Sequence, residues 1–200
     1  MATYRSARIF PVILVIVIIA IAIIALVSLA RAVFFSSSSS NDSVVDSSQT
    51  ALLATDANRR VEMTVRGPIV ADERFASYRI TVSPSSRTLT TYRGYLDSVV
   101  DRIELGNNVA AYEEFVFALD KAGLAAGDEY GDDRDDVRGV CATGQVTQFG
   151  ILDTGESVKT LWTSTCRGSS GTLDASASQL SRLFLRQIPD ADGAINKVNL

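Results

Sequence analysis

From Ile9 to Ala30 the chain has almost no polar positions, and the pattern breaks sharply at Arg8 and Arg31. An apolar run of about 22 residues, rising about 1.5 Å per residue as a helix, matches the roughly 30 Å hydrocarbon core of a bilayer. A lone segment in lipid must satisfy its own backbone, which only a helix does. Residues 9–33 are therefore expected to form a transmembrane helix in contact with the bilayer, with Pro11 in the first turn and an arginine reaching each interface. Arg5 and Arg8 precede the run, whereas Arg31 stands alone after it until Arg59. The positive-inside rule then places residues 1–8 in the cytoplasm and the remainder outside. The competing reading is a cleaved signal peptide, with Ser28-Leu29-Ala30 or Ala30-Arg31-Ala32 as the cleavage site. The apolar core is longer than such a leader needs, which favours a retained anchor.

The pattern changes character beyond the run. Residues 34–58 are expected to be a Ser-rich linker, opened by the serine run Ser36 to Ser40, with a helical turn over 51–58 docking onto the domain beyond it. Arg60 to Arg66 alternates polar and apolar, Ala76 to Val82 repeats the alternation, and Arg87 to Tyr92 returns after the turn at Ser83-Pro84. Each reads as a half-buried strand, and Val99 to Leu105 as a fourth. The period then becomes helical. Asn107 or Asn108 is a suitable cap for a helix that places Ala111, Phe115, Ala118, Leu119 and Ala122 on one face, with Tyr112 beside them and Gly123 as the stop. An acidic loop over 127–138 precedes a hairpin of Val140 to Leu152 and Ser157 to Thr165 around Asp153-Thr154-Gly155. A second helix is expected from Thr172 or Asp174 to Gln187, ended by Pro189. Hairpins with segregated helices predict an α+β domain over 59–189, an antiparallel sheet with two helices on one face, followed by a flexible tail at 190–200.

Charge and cysteine content sharpen this picture. Residues 1–35 hold three of the 19 basic residues and none of the 23 acidic ones, so the exported part is the acidic part. An acidic domain without clustered Lys and Arg does not suit nucleic acid. Cys141 and Cys166 both fall outside the membrane, where an even count reads as a disulfide. In the expected hairpin they face each other, and the bridge would close a loop of about 25 residues, worth about 3 kcal/mol in the chain-entropy model.

The chain has no histidine. Ser–His and Cys–His nucleophile pairs and most transition-metal sites are thereby removed, and no cofactor or metal centre is implied. Ile151-Leu152-Asp153-Thr154-Gly155 resembles the catalytic turn of retroviral-type aspartic proteases, in which two copies share a proton between paired carboxylates. The second glycine element and the flap of that family are missing, and Asp and Gly are ordinary turn residues. No catalytic residue is therefore assigned. A calcium site in the acidic loop would draw on Asp128, Glu129, Asp132, Asp133, Asp135 and Asp136. The spacing does not fit an EF-hand, and a solvated charge run with Arg134 and Arg138 as internal counter-ions explains the same residues. The serine-lysine signature of signal peptidases and the processing site of type IV pilins are both absent. Tyr78, Tyr92, Tyr95 and Trp162 read as core in preference to a binding surface.

Arg66-Gly67-Pro68, the Asn107-Asn108 pair before Ala111-Tyr112-x-x-Phe115, Leu161-Trp162-x-x-x-Cys166 and Gln187-Ile188-Pro189 resemble single-pass membrane proteins of candidate-phylum, Saccharibacteria-type bacteria. The resemblance implies one membrane pass and transfers no activity. The expectation is a membrane-anchored extracytoplasmic domain that binds a protein partner or an envelope component. The alternatives are a carboxylate-dependent hydrolase using Asp153 and a structural subunit of an envelope assembly.

Overall fold

The computed structural model describes residues 47–200, so the expected membrane segment at 9–33 lies outside the described residues. In chain order the elements are α1 (Ser47–Leu53), β1 (Arg59–Arg66), β2 (Ala76–Val82), β3 (Ser86–Arg93), β4 (Ser98–Gly106), α2 (Val109–Lys121), β5 (Val146–Asp153), β6 (Glu156–Ser164), α3 (Ala177–Leu185) and α4 (Ala191–Asn196). The six strands form one antiparallel sheet in the order β4-β3-β2-β1-β5-β6. The domain is α+β.

The first four strands follow one another as hairpins, and β5 then pairs with the other edge of β1. The chain must cross the sheet between β4 and β5, and α2 lies in that connection. Strand alternation sets which face receives it. Val61, Met63 and Val65 of β1 are buried on one face, while Arg60, Glu62, Thr64 and Arg66 lie on the other. The registers carry the pattern across all strands: Ile103, Leu89, Ile80, Met63, Phe149 and Leu161 stand side by side in one transverse row. All but Ile103 are fully buried. Each such side chain contributes about 1.5–3 kcal/mol relative to exposure.

Helix α2 covers this row with Tyr112, Phe115, Val116 and Leu119. The Ala111 N–H donates to the Asn108 side chain at 3.0 Å, which caps its start. At its end Gly123 takes φ +80, the Gly123 N–H donates to the Asp120 carbonyl and the Leu124 N–H to the Leu119 carbonyl. This Schellman arrangement satisfies carbonyls the helix would leave open. Phe184 of α3 meets Phe115 edge-on at 5.3 Å and Phe149 at 6.0 Å.

Four expectations change. The linker does not extend to residue 58: Ser48, Ala51 and Leu52 of α1 are buried, and the Gln49 side chain donates to Asp120 at 2.8 Å. The segment 190–200 is not a loose tail. Ala191, Ala194, Ile195 and Val198 are buried at helical spacing, so its apolar face is short but complete. Helix α3 begins at Ala177 because residues 172–174 are engaged elsewhere: the Thr172 and Leu173 N–H groups donate to the Trp162 carbonyl, and the Asp174 N–H to the Ala126 carbonyl. Strand β5 starts at Val146, since the chain before it is held by the cysteine bridge.

Phe149→Ala is expected to cost about 3–5 kcal/mol, because it empties a fully buried place in the apolar row, beside Phe184; chemical denaturation against the parent protein measures this. Burial pushes the Tyr78 phenol up to about 12, with Asp192 adding to it, and Tyr112 is raised by burial as well. Stability tied to these protonated phenols is complete below their ordinary value of 10.0 and is lost as pH rises through the folded-state values. Unfolding free energy should fall above pH 10, and the double variant Tyr78→Phe/Tyr112→Phe should flatten that fall.

Candidate functional site

At the end of the sheet where β1 finishes, the loop 67–75 and the β3–β4 turn are fastened together. The Gly94 N–H donates to the Phe75 carbonyl at 2.9 Å, and the Tyr95 N–H to the Asp72 carboxylate at 2.8 Å. The Tyr95 hydroxyl donates to the Val70 carbonyl at 2.8 Å and accepts from the Val70 N–H at 3.1 Å. The Phe75 and Tyr95 rings stack at 4.1 Å, and the Arg66 guanidinium lies 5.4 Å above the Phe75 ring. Gly94 takes φ +76, and a Cβ there would meet the Asp72 carboxylate at 3.0 Å, so the turn requires glycine.

The facing wall is the segment before β5. Cys141 and Cys166 form a disulfide with a Cα separation of 5.5 Å. Around it Val137, Cys141, Val146 and Trp162 make a second small core, packed with Val140. Val146 and Trp162 lie in the same cross-sheet rows as Arg66 and Thr64, so this core sits on the sheet face opposite the helices. The Ile69 N–H donates to the Ala142 carbonyl at 2.9 Å and joins the two walls.

Between them lies a cleft of about 330 Å³. Phe75, Val137, Cys141 and Val146 give it an apolar lining, and Arg66 and Arg138 bring two guanidinium groups. Ile69 and Tyr95, also lining it, are 49% and 42% exposed, and Leu96 at the neighbouring turn is 91% exposed. Apolar side chains held open to water beside cations are the usual composition of a recognition surface. Among the described residues that line it there is no nucleophile–base pair.

The acidic loop is largely occupied with itself. Asp132 caps the short 3-10 turn Asp133–Asp135 and pairs with Arg134 at 2.9 Å; Arg134 in turn lies 4.3 Å over the Tyr130 ring. Asp136 pairs with Arg138. The Asp135 carboxylate accepts from the Tyr130 and Gly131 N–H groups at 3.2 and 2.7 Å, and Glu129 accepts from the Thr160 N–H at 2.7 Å. Hydrogen bonding from Arg134 holds Asp132 below the ordinary carboxylate range, and that from Arg138 brings Asp136 down to about 2. The calcium candidates Asp128, Asp132, Asp133, Asp135 and Asp136 do not converge, and among the described residues no three acids or cysteines are placed to hold a metal.

Asp153 sits at the β5–β6 turn, with Thr154 at φ +50 and Gly155 at φ +92. Its partner is Arg59 at 3.2 Å, and Arg59 also pairs with Asp56 at 2.9 Å. The Arg59 guanidinium thus stands between the two carboxylates, whereas a proton-sharing acid pair sets them directly against each other. Of the four aromatics, Tyr78 and Trp162 are core, while Tyr95 belongs to the cleft. Ile69 and Leu96 are the available sequence signal for this site: large apolar residues in stretches of turn composition.

No family model matches the chain, and no curated protein matches it. Among the described residues no helix is long and apolar enough to cross a membrane.

Replacing both cysteines, as Cys141→Ala/Cys166→Ala, is expected to cost about 2–4 kcal/mol. Amide exchange should speed up most at 137–145 and 165–171, with β1 and α2 changing least.

Proposed function

We propose that the chain is a membrane-anchored, extracytoplasmic binding module, held by residues 9–33 and presenting the cleft between the 67–75 loop and the disulfide-closed segment to a protein or envelope partner. The observation that carries this reading is the cleft itself: a pocket with an apolar lining, two arginines and neighbouring apolar side chains open to water. The cysteine bridge supports an oxidising compartment. The uncharged run between Arg8 and Arg31 supports the anchor.

The test is photo-crosslinking in intact cells, with a benzophenone amino acid replacing Leu96 or, as a control on another surface, Phe117 of α2. A discrete adduct is expected from position 96 only, with at least about a tenfold loss when Arg66→Ala and Ile69→Asp are added, since central contacts carry most binding energy. Equal labelling from both positions, or none from position 96, would overturn the proposal. Protease added to whole cells should remove the domain, and a thiol reagent should modify Cys141 and Cys166 only after reduction; a protected, freely alkylated domain would refute the topology.

A further inference from the structure

The two edges of the sheet are finished differently. On β6, the Trp162 peptide is engaged from outside in both directions: its N–H donates to the Thr172 hydroxyl at 3.0 Å, and its carbonyl accepts from the Thr172 and Leu173 N–H groups at 2.9 and 3.0 Å. The Thr160 N–H donates to the Glu129 carboxylate at 2.7 Å. That edge is closed to another strand. Along β4, among the described residues, no segment pairs with the outer side. The Arg102 N–H turns away from β3 and, by alternation, so does that of Glu104; the Arg102 N–H is held only by the carboxylate of its own neighbour Asp101 at 2.9 Å, itself paired with Lys197 at 2.6 Å, and a further strand replaces that local bond with its own carbonyl. Val99 and Val100 are 60% and 46% exposed. A long edge strand rich in β-branched residues with no covering segment is a template for a further strand.

The side chains say which strand fits. Ile103 pairs with Leu89 and ends the apolar row on the helix-covered face. Arg102 and Glu104 flank it on the other face, 3.0 Å from each other. We propose that β4 is a homodimer interface in which two copies pair antiparallel about a two-fold axis at Ile103. This register sets Arg102 against Glu104 of the partner subunit, and the reverse, giving two cross-strand ion pairs. Moving the two-fold axis to residue 102 or 104, a slide of two residues, opposes two arginines or two glutamates. The axis stands perpendicular to the sheet, so both copies keep their helices on the same side. Ile103 meets its own counterpart, and the apolar row runs on into the second copy. Strand pairing of this length is at the small end of specific interfaces, so association is concentration-dependent.

The test uses the full chain in mild detergent, followed by analytical ultracentrifugation and oxidative cross-linking. Arg102→Glu or Glu104→Arg should each weaken dimerisation about tenfold, by turning two attractive contacts repulsive. An equimolar mixture of the two variants should restore it, because the opposite charges then face one another. Ile103→Cys should yield a disulfide-linked dimer without added linker, since the two-fold brings the same position of both chains to a close, non-hydrogen-bonded pair about 4.5 Å apart at Cα. Arg102→Cys should not. A chain that stays monomeric at high concentration would overturn the proposal. So would a dimer indifferent to Arg102→Glu, or a mixture that fails to restore association.

Discussion

Six side chains, one from each strand, meet edge to edge beneath the helices, and Met63 on β1 stands in the middle of that line. A two-residue period makes it possible, because a strand that buries Val61, Met63 and Val65 must turn Arg60, Glu62 and Thr64 the other way. A slip of one residue in β1 would put charge under the helices. The register therefore decides which face α1, α2, α3 and α4 cover and which face is left for the disulfide-closed segment. The cleft is a consequence of that choice, since its walls rise from strand ends on the uncovered side.

The parts of the fold legible in the sequence are those written by local periodicity. The alternation of 60–66 and 76–82, the Asn108 cap and Gly123 stop of α2, and the cysteine pair beyond the ends of a hairpin each rest on residues close in sequence. The illegible parts depend on distant partners. Thr172 and Leu173 look like the start of a helix, yet they serve as an outer layer for Trp162. Val116 belongs to the buried face of α2 with Phe115, Leu119 and Ala122, whereas Ala111, which shares their spacing, is exposed. Residues 191–198 present a full apolar face, but Pro189 and Asp190, the latter in a left-handed conformation, make the segment read as a frayed end.

The candidate site is still harder to read, because Arg66, Phe75, Tyr95 and Arg138 come from four separate segments. Their common feature in the sequence is only that apolar residues occur among turn formers. The charged stretches mislead in the other direction. Asp132 with Arg134 and Asp136 with Arg138 are near-neighbour pairs that cancel locally, so a conspicuous acidic run presents much less free charge than its composition suggests. Asp153 likewise is held in the Asp56–Arg59–Asp153 bridge at a turn.

The strand order has a further consequence for how the chain reaches its native state. Met63 lies directly opposite Phe149, so the central strand acquires its second neighbour only when a segment more than half the domain away has been made. Long-range closures of this kind slow folding. A chain emerging from its N-terminus can zip the first four strands early, but the outer side of β1 stays bare until β5 arrives. During that interval a hydrophobic edge at the heart of the future sheet is open to intermolecular pairing, so the time β5 takes to arrive sets how long the nascent chain is exposed to aggregation.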